Sequence, residues 1–179
     1  ALSYVRSTPQ ANYQILDVGT GSGIIPISLA IHIPQAELVA TDISSAALAI
    51  ASLNAERHGV IDRIQFQEAD LLPKVSQYLS FDIICANLPY IPSETLISLD
   101  VYGKEPDLAL DGGPDGLDLI RRLLTELGIS KLASSLILIE IEQRQGLAVS
   151  ALARDAFPTA DIRIQRDLAG FDRLVVIKI

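Results

Sequence analysis

A mostly parallel, doubly wound α/β sheet of seven strands is the fold that this sequence predicts. Short apolar runs alternate with longer helical patterns along most of the chain, which is typical of strands connected by covering helices. The composition is 49% hydrophobic but only 5% aromatic, and an aliphatic chain of this kind suits a sheet that is buried on both faces. The last two apolar runs, residues 160–168 and 173–179, lie close together in the sequence. We therefore expect one antiparallel strand in a C-terminal hairpin.

The first predicted strand, residues 15–18, leads directly into a glycine loop, Gly19-Thr20-Gly21-Ser22-Gly23. Glycine allows positive φ and leaves room for a ligand where a Cβ would otherwise stand. Because Pro26 is tolerated only in the first turn of a helix, the helix should begin near Gly23. The free N–H groups at such a helix start favour a carboxylate or a phosphate. Taken alone, the loop fits a plain strand-to-helix connection equally well.

The remaining predicted elements continue the alternation. Further strands are predicted at residues 37–42, 63–68, 81–86 and 134–142, and further helices at residues 44–58, 116–132 and 146–157. Residues 91–116 show no clear periodicity, and this segment is longer than an ordinary loop. We expect a functional flap or a disordered insert there.

Two acidic residues that follow predicted strands are candidate ligands. Asp42 lies about 19 residues after the glycine loop, near the interval of roughly 20 residues at which an acid meets ribose hydroxyls in nucleotide-binding folds. Asp42 could instead cap the next helix, but Ser44 or Ser45 can do so equally well, and we favour the ligand role. Asp70 could accept a hydrogen bond from an adenine amino group, or it could be a turn residue before Pro73.

Composition and charge argue against several other classes of protein. The formal net charge of -8 opposes a broad electrostatic grip on nucleic acid. The single cysteine, Cys85, excludes an internal disulfide framework and indicates a reducing, cytoplasmic compartment. No apolar run approaches the length of a membrane span. The sequence also contains neither metal-ligand spacing nor a hydrolytic Ser/His/Asp constellation, so no metal is expected.

A second group of residues with chemical potential, Asn87-Leu88-Pro89-Tyr90, follows the fourth predicted strand. It resembles the Asn-Pro-Pro-Tyr tetrapeptide of methyltransferases that act on planar, weakly basic nitrogens: glutamine amides, adenine N6 and guanine N2. The lone pairs of these nitrogens are delocalised, so acceptors aimed at their N–H hydrogens raise their reactivity. The resemblance implies that the Asn87 oxygen and the Leu88 carbonyl accept these hydrogens while Tyr90 covers the flat face of the substrate. An ordinary turn after a strand is the alternative.

The tetrapeptide departs from that motif at Leu88, where the motif has its first proline. The change frees φ at this position and costs about 0.4 to 1 kcal/mol in preorganisation. Leu88 still precedes Pro89, which holds it in the extended region. We therefore expect the direction of the Leu88 carbonyl to survive.

Two further segments narrow the resemblance to one family. The glycine loop resembles the first signature of S-adenosylmethionine (SAM) dependent methyltransferases with a Rossmann-like fold. Residues 105–117, Glu105-Pro106-x-x-Ala109-Leu110-x-Gly112-Gly113-x-x-Gly116-Leu117, closely resemble the HemK/PrmC family, the protein-(glutamine-N5) methyltransferases of peptide chain release factors. Residues 167–173 look like the terminal hairpin of that family. Residues 102–104 differ from the Arg and aromatic residues expected before the Glu-Pro pair.

The resemblance implies a class I SAM-dependent methyltransferase that modifies a glutamine side chain of a release factor, a protein partner in the cytoplasm. The expected cofactor contacts are Gly19, Thr20, Gly21, Ser22, Gly23, Asp42, Ile43, Asp70, Leu71 and Asn87. The expected catalytic residues are Asn87, Leu88, Pro89 and Tyr90. The resemblance also implies that residues 13–179 are the catalytic domain, and that residues 1–12 are a lead-in from an N-terminal helical domain.

Two other functions are compatible with the same motifs. The first is methylation of an exocyclic amino group of a nucleic-acid base, which a basic upstream domain would favour. The second is a non-catalytic SAM-binding module in which Leu88 marks lost catalysis. Calorimetry with SAM and a methyl-transfer assay together separate the non-catalytic module from the two enzymatic functions.

Overall fold

The computed structural model of the chain describes residues 1–73, 80–99, 103, 106–130 and 132–179. Within them the strands are β1 Tyr13–Val18, β2 Ala36–Asp42, β3 Ile64–Glu68, β4 Ser80–Ala86, β5 Ala133–Glu140, β6 Asp161–Arg166 and β7 Asp172–Lys178. The helices are α1 Leu2–Ser7, α2 Ile24–His32, α3 Ser45–Arg57, α4 Ser93–Leu96, α5 Asp118–Ile129 and α6 Gly146–Ala156. The strands form a seven-stranded sheet in the order β3-β2-β1-β4-β5-β7-β6. The predicted α/β sheet with a C-terminal hairpin is confirmed.

The first of two compact units comprises Ala1–Ala86 and Lys131–Leu138. Within this unit β1 pairs in parallel with β2 on one side and with β4 on the other, and β2 pairs in parallel with β3. The register places Val18 beside both Thr41 and Ala86, so β1, β2 and β4 end close together. The loops that follow β1 and β2 therefore emerge at the same edge, where open α/β sheets bind their ligands.

The ends of α2 and α3 follow from the local sequence. Gly23 caps α2 in the left-handed conformation, with φ 84°, and Pro26 lies in the first turn, as predicted. Ser44 caps α3 by accepting a hydrogen bond from the Ala47 N–H at 3.2 Å. Gly59 ends that helix with φ 67°. Both helices thus begin immediately after the loops that carry the candidate ligands.

The N-terminal segment is attached to the buried start of β1. Tyr13 is fully buried, and its hydroxyl donates to the Thr8 carbonyl at 2.6 Å and accepts from the Gln10 N–H at 3.0 Å. A buried tyrosine hydroxyl needs such partners, because an unpaired hydroxyl away from water is costly. The segment predicted as a lead-in contains a short helix, α1. The Tyr13 side chain holds the residues just after this helix close to the start of β1.

The second unit comprises Asn87–Ser130 and Ile139–Ile179. In it α5 packs against α6, and α6 packs on both strands of the C-terminal hairpin. β6 and β7 pair antiparallel, with Asp161 beside Lys178 and Ile164 beside Val175. The predicted closing hairpin is confirmed; β6 is shorter than the predicted 160–168, and β7 begins and ends one residue earlier than the predicted 173–179.

α5 and β5 have different ends from those that the sequence pattern predicted. The pattern predicted a helix at 116–132, but α5 begins at Asp118 because Gly116 has a φ of 75°, outside the helical region. β5 was expected to extend to residue 142, but it ends at Glu140. The Glu142 N–H instead donates to the side chain of Gln145 at 3.0 Å. A positive φ therefore sets the start of α5, and a turn contact follows the end of β5.

Part of the segment that was expected to be a flap or a disordered insert has regular structure. It contains α4, a 3-10 turn at Asp107–Ala109 and a parallel bridge between Ile91 and Asp111. Residues 100–102, 104 and 105 lie outside the described residues, and with them Glu105 of the family motif and most of the departure at residues 102–104. Among the described residues, no helix combines the length and the hydropathy that a membrane crossing requires.

Candidate active site

The glycine loop has the backbone conformation that its sequence predicted. Gly19, Gly21 and Gly23 have φ values of 71°, 55° and 84°, all in the left-handed region. A Cβ on Gly23 would lie 3.0 Å from the Cβ of Ala51 in α3, so this glycine permits close packing. A Cβ on Gly21 would meet no atom within 4 Å, so this glycine borders open space. The loop thus packs on one side and leaves room for a ligand on the other.

Asp42 connects the loop to the start of α3. One carboxylate oxygen accepts from the Gly21 N–H at 2.8 Å, and the other accepts from the Ser44 N–H at 2.9 Å. Because the Ser44 hydroxyl caps α3, Asp42 is not needed as the helix cap. Each carboxylate oxygen can accept more than one hydrogen bond. Asp42 therefore fixes the loop while retaining acceptor capacity for a ligand, and its predicted contact with ribose stays a prediction.

Two buried polar side chains at the base of the loop lack partners. Asp17 is 1% exposed and Thr20 is 6% exposed. Within the described part of the chain, the two Asp17 carboxylate oxygens and the Thr20 hydroxyl have no partner in hydrogen-bond geometry. Burial raises the pKa of Asp17 to about 7; the nearby Thr20 hydroxyl opposes the increase and the negative charge of Asp42 adds to it. These orphaned acceptors fit a ligand that carries positive charge or N–H donors.

The loop after β3 is held by a buried hydroxyl. Leu71 is the described non-glycine residue with positive φ, at 67°, and such a conformation persists only when its surroundings enforce it. The Thr41 hydroxyl donates to the Leu71 carbonyl at 2.7 Å, and the Ala69 N–H donates to the Asp42 carbonyl at 3.0 Å. Leu71 is buried, whereas the predicted cofactor contacts Asp70 and Ile43 are exposed. The first unit thus joins the glycine loop, Asp42 and Leu71 through short contacts.

The tetrapeptide begins directly after Ala86, the last residue of β4. Asn87 is exposed, and its side-chain amide has no hydrogen-bond partner among the residues that the structure describes. Leu88 is 3% exposed, so the residue that departs from the family motif points into the protein. Asn87 therefore offers a free amide to solvent, while Leu88 anchors the backbone beside it.

The Tyr90 ring is half-buried within a charged group of the second unit. Burial raises the pKa of the Tyr90 hydroxyl above its ordinary value; the carboxylate of Glu140 adds to the increase and the guanidinium of Arg173 opposes it. Arg173 is itself held by Asp167 and by the Ile141 carbonyl, both at 3.3 Å. The hydroxyl end of Tyr90 thus lies near two oppositely charged side chains.

The glycines of the family motif lie against the backbone of the tetrapeptide. A Cβ on Gly112 would lie 2.8 Å from the Pro89 carbonyl oxygen, and a Cβ on Gly116 would overlap the Tyr90 carbonyl oxygen. Backbone hydrogen bonds complete this contact, from the Ile91 N–H to the Leu110 carbonyl at 3.1 Å and from the Gly112 N–H to the Ile91 carbonyl at 2.9 Å. The glycines are required because the two segments touch through their main chains.

Sequence reasoning missed Asp17, Gln145 and Glu140. Asp17 had a detectable signal, since it is an acid in an otherwise apolar strand directly before the glycine loop. Gln145 and Glu140 carried no such signal, because their contacts come from residues far away in the chain. Among the described residues, no group of three His, Cys, Asp or Glu side chains is placed to hold a metal ion.

A mostly parallel seven-stranded sheet with a glycine loop after β1 and an acid at the end of β2 defines a class I methyltransferase domain. The chain belongs to the methyltransferase domain family, whose family model matches residues 9–147. SAM is the cofactor of this family, and the buried, unpaired side chains of Asp17 and Thr20 fit a ligand with cationic groups.

Curated relatives make the similarity more specific. A release factor glutamine methyltransferase of Moorella thermoacetica is 43% identical over 169 residues, which cover 94% of this chain and 59% of the relative. Proteins of the same name from Gloeobacter violaceus and Bacillus subtilis are 37% and 36% identical, over 98% and 90% of this chain. The chain spans 61% and 57% of their lengths. The resemblance found in the sequence is confirmed.

Solved structures support the fold. A methyltransferase from Pyrococcus furiosus has a TM-score of 0.68 at 12% identity, covering 99% of this chain and 80% of that chain. The N-terminal domain of human METTL16 in complex with SAH has a TM-score of 0.61 at 15% identity, covering 97% of this chain and 62% of that chain. At these identities the similarity concerns the fold alone.

Proposed function

We propose that this chain transfers a methyl group from SAM to the side-chain amide nitrogen of a glutamine in a peptide chain release factor. The observation that carries the proposal is the free amide of Asn87 in an Asn-x-Pro-Tyr segment whose backbone is held by close main-chain contacts and by a hydrogen bond to the Tyr90 carbonyl. The names of the curated relatives support the release factor as substrate.

The first unit contains the residues that would hold SAM, which supplies a methyl group on a positively charged sulfur. The N–H groups of Gly19 and Ser22, which are not among the bonded N–H groups of the loop, would donate to the carboxylate of its amino acid part. The buried Asp17 and Thr20 would accept from its ammonium group. Asp42 would accept hydrogen bonds from the ribose hydroxyls. The exposed Ile43, with Asp70 and Leu71, would contact the adenine.

The tetrapeptide would activate the substrate nitrogen. The Asn87 side-chain oxygen and the Leu88 carbonyl would accept its two N–H hydrogens, which returns electron density to a nitrogen whose lone pair is otherwise shared with the amide carbonyl. Preorganised polar groups of this kind contribute roughly 3 to 4 kcal/mol in a transition state. Pro89 restricts the backbone between the two acceptors and the Tyr90 ring, which would cover the flat amide. No strong base is required.

Partner, domain and compartment follow from the same proposal. Residues 13–179 would be the catalytic domain, with residues 1–12 as a lead-in, and the reaction would take place in the cytoplasm, where release factors act. A protein substrate agrees with the net charge of -8, which disfavours extensive contact with phosphate backbones.

The test is a transfer assay with SAM labelled on its methyl group. A peptide with a central glutamine should accept the label on the side-chain nitrogen, located by mass spectrometry, whereas the same peptide with glutamine replaced by asparagine should not. Parallel reactions with RNA and DNA oligonucleotides examine the nucleic-acid alternative. Label on a base and none on glutamine would refute the proposal, and SAM binding without any transfer to peptide or intact release factor would favour the non-catalytic module.

A further inference from the structure

Gln145, the residue before α6, uses its whole side-chain amide to hold backbone atoms. Its nitrogen donates to the Tyr90 carbonyl at 2.9 Å and to the Gly116 carbonyl at 3.2 Å, and its oxygen accepts from the Glu142 N–H at 3.0 Å. The side chain is 8% exposed. Because two partners are carbonyls and the third is an N–H group, the orientation of the amide is fixed by its surroundings.

The hydrogen bond from Gln145 to the Tyr90 carbonyl and the bond from the Ile91 N–H to the Leu110 carbonyl hold the two ends of the same peptide plane. Pro89 fixes its own φ, and its ring keeps Leu88 in the extended region. The peptide plane after Tyr90 has no such covalent restraint, and its carbonyl is the atom that Gln145 holds. The Gly116 carbonyl is held by the same nitrogen, so Gln145 also joins the tetrapeptide to the glycine segment that packs against it.

We propose that Gln145 is a positioning residue for methyl transfer: it holds the peptide plane after Tyr90, and through it the acceptor carbonyl and aromatic wall that the substrate amide meets. The inference rests on the proposed function of the tetrapeptide. Gln145 acts through backbone carbonyls and has no assigned contact with substrate or cofactor. Its effect should therefore fall on kcat and leave SAM affinity unchanged.

The matched pair of variants is Gln145→Glu and Gln143→Glu. Glutamate at 145 keeps the shape and the oxygen that accepts from Glu142, but an ionised carboxylate cannot donate and would face two carbonyl oxygens. Gln143 is exposed on the same turn, so its variant carries the same charge change without the lost contacts. Single-turnover transfer to a glutamine peptide should slow roughly 10- to 100-fold in Gln145→Glu, since small displacements at a reacting centre cost this much.

The pH profile supplies a readout that a merely structural role would not move. A protonated glutamate can donate one hydrogen bond, so the rate of Gln145→Glu relative to that of Gln143→Glu should recover partly as the pH is lowered. SAM affinity measured by calorimetry should stay within about twofold of the wild-type value. A normal rate in folded Gln145→Glu, or a loss of SAM binding equal to the loss of rate, would overturn the inference.

Hydrogen exchange separates this inference from the proposed function. The Ile91 and Gly112 amides are bonded across the tetrapeptide contact and should exchange faster in Gln145→Glu than in Gln143→Glu, with or without a substrate. The wild-type protein could methylate no glutamine while the Ile91 and Gly112 amides still lose protection in Gln145→Glu. In that case the proposed function fails and the positioning contact stands. Unchanged protection refutes the contact. Gln145→Asn, which is uncharged and too short to reach, is the second variant, and failure of both variants to fold would show a structural role instead.

Discussion

At the scale of single residues, the proposed methyl transfer depends most on Asn87, whose side-chain oxygen would accept from the substrate nitrogen. Its amide is exposed and free within the described part of the chain, in a chain where buried polar groups are mostly bonded. The proposed contact matters chiefly as the substrate nitrogen becomes reactive, so its loss should affect the transition state more than binding. Asn87→Ala should lower kcat about 10²- to 10³-fold and weaken SAM far less.

Asn87→Asp is the control for that prediction, because a carboxylate still accepts hydrogen bonds and partial activity should remain. Both variants are measured by single-turnover transfer to a glutamine peptide with SAM saturating. If Asn87→Ala reacts at the wild-type rate, the tetrapeptide is only a turn after a strand and the amide-activation mechanism fails.

Asp17 predicts an unusual dependence of stability on pH. Its pKa rises from 3.8 in the unfolded chain to about 7 in the folded protein, so the folded state binds this proton more tightly. The corresponding stability is complete below about pH 4 and is lost as the pH rises through 7. Asp17→Asn removes the titration and should make the SAM-free protein more stable than wild type at pH 8, by about 2 to 4 kcal/mol.

Urea unfolding of both proteins at pH 5 and pH 8 provides the measurement, and the exposed Asp62→Asn serves as the control for a general change in charge. Asp17→Asn should also bind SAM roughly 10- to 100-fold more weakly than wild type, since hydrogen bonds to charged groups contribute about 1.5 to 3 kcal/mol. A stability gain that is equal at both pH values would show that Asp17 does not titrate in this range.

At the scale of elements, the glycine loop combines two requirements that mutation can separate. Gly21→Ala and Gly23→Ala both place a Cβ on a left-handed residue, at a cost of about 1 to 2 kcal/mol. Only the second adds a collision with Ala51. Gly23→Ala should therefore lower the melting temperature more than Gly21→Ala does. The ratio of the loss in SAM affinity, measured by calorimetry, to the fall in melting temperature should be larger for Gly21→Ala. Equal ratios in the two variants would remove the distinction between the packing side and the ligand side.

The sequence predicted the features that neighbouring residues determine, but not those that depend on backbone conformation or on contacts between distant residues. The start of α2 was predictable because Gly23 and Pro26 determine it within four residues. The start of α5 was not, because periodicity does not show that Gly116 has positive φ. Gln145 was missed for the same reason: its partner Tyr90 is 55 positions away in the chain. The family resemblance indicated the glycines at 112 and 116, and the structure supplies the cause, a main-chain contact without room for a Cβ.

At the scale of the whole molecule, the acidic charge is distributed over both functional segments of the chain. Asp17 and Asp42 lie below and beside the glycine loop, and in the second unit Glu140 lies near the Tyr90 hydroxyl. The first unit thus offers acidic groups where a cationic cofactor is expected, and the second unit combines acidic and basic groups around an aromatic ring. Part of the net charge of -8 therefore lies at the glycine loop and near Tyr90.

The single cysteine is buried, so chemical labelling of its thiol can report unfolding of the protein. Cys85, the second-to-last residue of β4, is 6% exposed, and burial together with the nearby Asp17 carboxylate raises its pKa to about 12. Thiolate is the reactive form, so a thiol-specific reagent should modify the native protein only during excursions that open β4. The chain has no tryptophan, and labelling therefore replaces the tryptophan fluorescence that often reports unfolding.

The rate of modification at fixed reagent concentration should decrease when SAM is added, because a ligand that binds only the folded state lowers the population of open forms. Since β4 leads directly into Asn87, the same labelling experiment measures how often the strand before this residue opens. Rapid modification of the untreated protein under native conditions would show that this strand opens by local fluctuation without global unfolding.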